Sequence, residues 1–345
     1  MKKRWMIILQ IAATYIGTVV GAGFASGKEI VEFFTVYGPM GLIGIIISGI
    51  LFIWIGTKMM VLSHRIGAYS YEELNTYIFG KTAGRVINLF TLLILFGVTS
   101  VMLSGTGSVF EEQLGFSYRW GIFITLVLCY VVMMKGLDGI LAVNSLVVPM
   151  MVFFSFLIAM PLFEHNDISF LLRANELQAN WKPLVSPFAY VAFNLAMAQA
   201  VLVPLGKEVE DERILKWGGF WGGIGLCFML ISSHFALYSL PNVSQFDIPI
   251  AEVIKDFGAS MHIIFLIVVY GEIFTTLIGN VFGISRKMQK LFNLPEKWIV
   301  LGILLLSFLI SQVGFSSLLS FLYPLFGYIG LLILFFMAVK QLPPK

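Results

Sequence analysis

The sequence predicts an all-α integral membrane protein of ten transmembrane helices, arranged as a 5+5 inverted repeat with helices 1 and 6 broken. Three observations point there: a charge-poor composition, a one-sided distribution of lysine and arginine, and a motif that returns half a chain later together with its neighbours. Of the 345 residues, 59% are apolar and 12% charged. That is about half the charged share of a soluble domain. Such a chain cannot cover its own surface with polar groups, so lipid is its main solvent.

A spanning helix needs about 20 mostly apolar residues. Ten segments qualify, at about 5–36, 38–62, 84–112, 118–136, 139–163, 183–206, 213–240, 259–288, 296–312 and 315–339. The turns Gly136–Gly139 and Gly314–Ser317 separate the closely spaced pairs. An even number of spans puts both termini on one side. With that side inside, all but five of the 22 lysines and arginines face the cytoplasm; only Lys28, Arg119, Arg173, Lys182 and Lys255 lie outside. This is the asymmetry of the positive-inside rule. Lys2, Lys3 and Arg4 before an apolar run imitate a secretory signal, but the repeat requires this segment as a permanent helix.

Several function classes fall away. No basic patch is interleaved with aromatics, which argues against nucleic acid. Cys129 and Cys227 lie in apolar runs, so a disulfide framework is not expected. The four histidines do not cluster at zinc spacing. With no nucleophile–base pair, metal cluster or nucleotide loop, neither an enzyme nor a cofactor is expected. The expected partners are a small solute and the bilayer, with no obligate protein partner.

The repeat rests on Gly27-Lys28-Glu29-Ile30, which recurs as Gly206-Lys207-Glu208-Val209. At the same offset Gly44-Ile45 meets Gly223-Ile224, Leu51 meets Leu230, and Glu73-Leu74 meets Glu252-Val253. One residue of slippage then aligns Phe79-Gly80 with Phe257-Gly258. Ser70-Tyr-Glu-Glu73 reads as a capping box opening a short amphipathic helix. Asp247 is the expected cap of its counterpart, where Ile250, Val253, Ile254 and Phe257 share a face. Five spans per half invert the second copy, as in inverted-repeat transporters. The halves are then 1–163 and 183–345, joined by an extracellular segment at 164–182.

Four glycines, Gly17, Gly21, Gly23 and Gly27, crowd the first span. Each weakens a helix by about 1 kcal/mol against alanine. GxxxG at 17–21 also suits close helix packing, but Gly-x-Gly followed by Gly27 favours an unwound segment. Backbone may open at membrane depth where it lines a cavity, and freed N–H and C=O groups there suit polar ligands. Gly21, Ala22, Gly23, Phe24 and Ala25 are therefore candidate solute ligands. The repeat places a second break near Asn194–Ala200, flanked by Pro187 and Pro204, which adds Phe193, Asn194 and Gln199. Interhelical hydrogen bonding is the other reading of the two amides. Ser100, Ser104 and Ser108 run along span three as a packing face or a pocket wall, and Ser104 joins the solute set. Phe188, Tyr190, Phe193, Phe24 and Tyr270 are candidate gates. His234, near the outer end of span seven, reads as a packing residue.

Glu272 lies midway through span eight, where a charge costs about 2.5–3.5 kcal/mol on insertion scales. Thr275, Thr276 and Gly279 follow on the same stripe. Hard oxygens suit Na+, and a buried carboxylate suits H+. A structural hydrogen bond from Glu272 to an amide such as Asn194, and back-bonding of the threonines to their own helix, are the plainer alternatives.

Ile16-Gly-Thr-Val-Val-Gly-Ala-Gly-Phe24 resembles the first-helix signature of amino acid–polyamine–organocation permeases. The whole chain, above all Thr18–Ile30, is similar to the YkvI-type bacterial membrane proteins. The resemblance implies the leucine-transporter fold, a bacterial cytoplasmic membrane location, and transport of an amino acid or related amine. It also implies that Thr275 and Thr276 hold a coupling Na+ against the carbonyls of Gly17 and Val20. Some proton-driven relatives place a lysine on span five; 139–163 contains none. Secondary transport coupled to Na+ or H+ is thus the expected function, with a solute-sensing receptor subunit of the same fold, as in spore germinant receptors, as the alternative.

Overall fold

The computed structural model describes residues 2–134, 149–151, 153–158, 181–292 and 294–344. Most of the expected fifth span, the Gly136–Gly139 turn and nearly all of the connecting segment 164–182 lie outside the described residues. The rest is helical, and no strand occurs among the described residues. Among the described residues six helices are long and apolar enough to cross a membrane. Exposed helix faces are apolar: Ile43, Ile46 and Ile50 line one stripe, and Leu305, Leu306 and Leu309, on the shorter helix Glu296–Ser311, line another. Contiguous exposed aliphatics of this kind need lipid rather than water.

The first span is assembled from three helices: α1 (Lys2–Val19), α2 (Ala22–Ser26) and α3 (Lys28–Phe33). Gly21 is extended between α1 and α2. Gly27, at φ 85°, turns the chain between α2 and α3 in the left-handed conformation that glycine adopts without strain. The second span combines α4 (Pro39–Leu51), a π-helical turn at Phe52–Gly56, and α5 (Thr57–Ile66). At that turn the Phe52 carbonyl accepts the buried Tyr15 hydroxyl at 2.8 Å, which ties span one to span two.

Ser70 caps α6 (Tyr71–Ser108): its hydroxyl accepts the Glu73 N–H at 3.3 Å, while the Glu73 carboxylate accepts the Tyr69 N–H at 2.8 Å. A non-helical Gly80 divides this long element into the expected short helix and span three. Then come α7 (Tyr118–Met133), α8 (Lys182–Glu208), α9 (Glu212–Tyr238), the short α10 (Pro249–Lys255), α11 (Ala259–Phe292), α12 (Glu296–Ser311) and α13 (Phe315–Val339).

Two expectations are corrected. The sixth span is not broken: α8 runs uninterrupted through Asn194–Ala200. Leu195, Ala196, Met197 and Ala198 are strong helix formers, and the side-chain amides, not opened backbone, supply the polarity. Nor does Asp247 cap α10, which starts on Pro249 with no side-chain cap. The Asp247 carboxylate is taken by two hydroxyls instead, Ser108 at 2.6 Å and Ser316.

In the interior α1 packs on α9, α8 on α13, and α6 on α11. Polar ties gather at two ends. At one, Arg65 grips both carboxylate oxygens of Glu212 at 3.0 Å, Arg4 meets Asp211 at 2.8 Å, and Lys287 meets Glu72 at 3.0 Å. At the other, the Asp247 and Ile248 N–H groups donate to Glu112, and Gln113 donates to Glu252. Each set joins segments that the charge count places on one side of the bilayer.

Candidate functional site

The site begins where α1 stops. The last carbonyls of a helix have no donor within it, and in α1 these belong to Gly17, Thr18 and Val19. The Val20 N–H still reaches Ile16, and the Ala25 N–H reaches Gly21. The Thr276 hydroxyl of α11 lies 3.6 Å from the point a Gly21 side chain would occupy. Span eight therefore presents a hard oxygen to the interruption in span one. Thr275 does not contribute: its hydroxyl donates back to the Glu272 carbonyl at 3.0 Å.

Glu272 is 1% exposed, and one carboxylate oxygen has no hydrogen-bond partner. A second buried carboxylate is Glu29 on α3, 2% exposed. The Asn194 amide of α8 donates to it at 3.1 Å and also donates to the Tyr190 carbonyl at 3.1 Å. Asn194 thus serves Glu29 and not Glu272. Among the described residues no cation pairs with either carboxylate. Burying an ionised carboxylate without a counter-charge is expensive.

The glycine at 23 follows from this arrangement. A Cβ there would lie 2.6 Å from Glu29 Oε2 and 2.9 Å from the Tyr323 ring. Only a residue without a side chain lets the carboxylate close over α2. Ala22, Phe24 and Ala25 are buried in the same turn of helix. The Phe193 and Tyr323 rings meet at a tilt of 37° with their centres 4.3 Å apart, which adds aromatic surface from α8 and α13 near Asn194 and Gly23.

Two other expected ligands lie elsewhere. Ser104 is bonded to the Tyr118 hydroxyl and donates to the Ser311 carbonyl at 3.2 Å, which places it among spans three, four and nine. A regular serine stripe does not reveal which neighbour it faces. Gln199 donates to the Ala196 carbonyl at 2.9 Å and to Thr91 at 3.4 Å, so its amide serves the α8–α6 contact. His234 is buried; its Nδ1 is bonded to Thr35 at 3.2 Å, and its Nε2 has no partner among the described residues.

Glu29 is the functional candidate that the sequence reading missed. It sits inside the very motif used to detect the repeat, but its depth in the first span shows only once α2 and α3 are placed. Its neighbour Lys28, 4% exposed, faces the other way and donates to the Ser244 and Phe246 carbonyls at 2.7 and 2.8 Å.

Comparison with known proteins follows this geometry. Residues 6–318 match the family described as spore germination protein. The chain is 44% identical to the uncharacterized membrane protein YkvI of Bacillus subtilis (strain 168), over 97% of this chain and 96% of that one. It is 26% identical to the uncharacterized protein YyaD of the same organism, over 96% and 94%. Among solved structures it resembles Mhp1, a nucleobase-cation-symport-1 family transporter, in a closed conformation with bromovinylhydantoin bound (TM-score 0.61, 14% identity, 91% of this chain and 74% of that one). It also resembles the inward facing conformation of Mhp1 (TM-score 0.62, 14% identity, 94% and 73%). At this identity the likeness establishes the fold, which is leucine-transporter-like.

Proposed function

The chain belongs to the spore germination protein family, and on that premise we propose that it is a secondary active transporter for a small amino-acid-like solute, coupled to Na+ or H+. The observation that carries this reading is the interruption at Val20–Gly21, met by Thr276 from span eight and followed by the buried Glu29. Opened backbone close to the buried Glu29, with Glu272 one turn from Thr276 on span eight, suits a ligand bearing positive charge, whether an amine, Na+ or H+. The solute lies against α2, with Gly21–Ala25, Phe193 and Asn194 around it. Thr276, with the Gly17 and Val20 carbonyls, holds the coupling ion, and Glu272 carries the proton if protons drive the cycle. The five-plus-five repeat supplies alternating access by rocking one bundle against the other. Because α8 is continuous, the opened backbone comes from the first half and α8 contributes side chains.

Uptake into proteoliposomes tests the reading. Labelled amino acids and amines are offered with Na+ gradients, with pH gradients and with neither. Accumulation of at least one solute that collapses with its gradient is expected; flat uptake across the panel would sink the proposal.

A second reading is a receptor that binds the solute without moving it, and the family description favours it. Saturable binding to the purified protein, with no flux in the same vesicles, would select it.

A further inference from the structure

Away from that site, Lys58 of α5 is a cation within the span, two turns before the helix ends at Ile66, or roughly 12 Å along its axis. Its ammonium donates to the Ala338 carbonyl at 2.7 Å and lies 6.0 Å from the centre of the Trp54 ring. Among the described residues no carboxylate pairs with it. An ionisable group at this depth needs a partner, and a carbonyl and an aromatic face leave its charge uncompensated.

Lys58 borders a cavity of about 740 Å3 between spans two and seven and the chain's last residues. Lys216 and Lys340 also line it, and among the described residues no Asp or Glu does. Lys216 contacts Glu212 at 2.7 Å, but that carboxylate already binds Arg65 through both oxygens. Lys340 donates to the Tyr77 carbonyl at 3.2 Å, again a neutral partner. Beside the lysines the lining is apolar: Trp54 and Phe220 lie one turn from Lys58 and Lys216 on the same helices, and Leu342 adds to them. Trp54 and Phe220 are 52% and 36% exposed on the lipid-facing surface. Lysine stems can lie along apolar surface with their charged heads in water, and basic pockets between helices on the cytoplasmic side suit anionic head groups.

We propose that this cavity binds one anionic phospholipid of the cytoplasmic leaflet, its phosphate at Lys58 beside Lys216 and Lys340 and an acyl chain against Trp54 and Phe220. The assignment does not depend on transport. Both halves of the cavity are explained by one occupant: an acyl chain needs the aromatic wall, and the phosphate supplies the negative charge that the lining lacks.

The test uses the full chain in vesicles containing phosphatidylglycerol or phosphatidylcholine with brominated acyl chains, which quench nearby tryptophan fluorescence. The Trp54 signal is taken as the difference between the native protein and W54F. Brominated phosphatidylglycerol is expected to quench it in clear preference to brominated phosphatidylcholine. Each engaged lysine contributes about fivefold to that preference, the equivalent of about 1 kcal/mol. K58Q should lower the preference by about fivefold, K340Q should lower it too, and K58R should keep it. Soluble glycerol phosphate should not relieve the quenching. Equal quenching by the two lipids in the native protein would overturn the proposal whatever the variants do, as would competition by glycerol phosphate, which would mark a plain anion site.

Discussion

The Asn194 amide on span six donates to the Glu29 carboxylate on span one at 3.1 Å, and both residues are buried. One hydrogen bond therefore links the interrupted helix to the continuous one at the level of the proposed solute site. Hydrogen bonds to charged groups contribute about 1.5–3 kcal/mol. N194A should lower the melting temperature in detergent, and E29Q, which keeps an acceptor for Asn194, should melt near the native temperature. Uptake by E29Q should fall at least tenfold. If E29Q transports normally, Glu29 is structural.

Gly21 and Gly23 should part company when each is replaced by alanine. A methyl at Gly21 meets Thr276 at ordinary contact distance, and one at Gly23 meets Glu29 and Tyr323 inside it. G23A should destabilise by about 1–3 kcal/mol, the usual cost of overpacking. G21A should fold normally and change ion dependence by crowding the Thr276 hydroxyl. Thermal melts and uptake at varied Na+ check the pair; equal destabilisation would show that the two positions do not differ in packing.

Glu272 and Thr276 separate the two coupling ions. E272Q should abolish any pH dependence of uptake, and T276A should weaken any Na+ dependence. T275A should do neither, because Thr275 bonds back to its own helix. Uptake against pH and against Na+ for the three variants decides it, and unchanged ion dependence in both E272Q and T276A removes the assignment.

At the opposite face to Arg65, Glu252 on the short α10 responds to acid. Burial pushes its carboxyl up, but hydrogen bonds from Lys255 and Gln113 outweigh this and hold it below its ordinary value near 4.5. A depressed carboxyl stabilises the fold above its unfolded value, and that contribution is lost as pH falls through the folded one. The melting-temperature gap between the native protein and E252Q should therefore be full at neutral pH and shrink once pH drops below the ordinary value near 4.5. A gap that widens in acid would contradict the hydrogen-bond pattern.

Fold class and the candidate break in span one were legible because both are written in composition: long apolar runs, and four glycines where a helix should continue. The Ser70 cap was legible for the same local reason. What failed was whatever depended on a partner far along the chain. Asn194 looked like a helix breaker's neighbour because its acceptor, Glu29, comes from another span. Asp247 matched an N-cap by position, but Ser108 and Ser316 compete for its oxygens and Pro249 starts the helix without it. Ser104 carries no mark of the face it presents, and only Tyr118 and Ser311 reveal it.

Lys28 and Glu29 are consecutive residues on a helix of six. One is pinned to the loop at Ser244–Phe246, the other to the middle of α8. So short a rod cannot flex between its two fastenings. Lifting that loop must tug the carboxylate, and whatever seizes the carboxylate must tug the loop, which makes α3 a mechanical link between the surface and the interior.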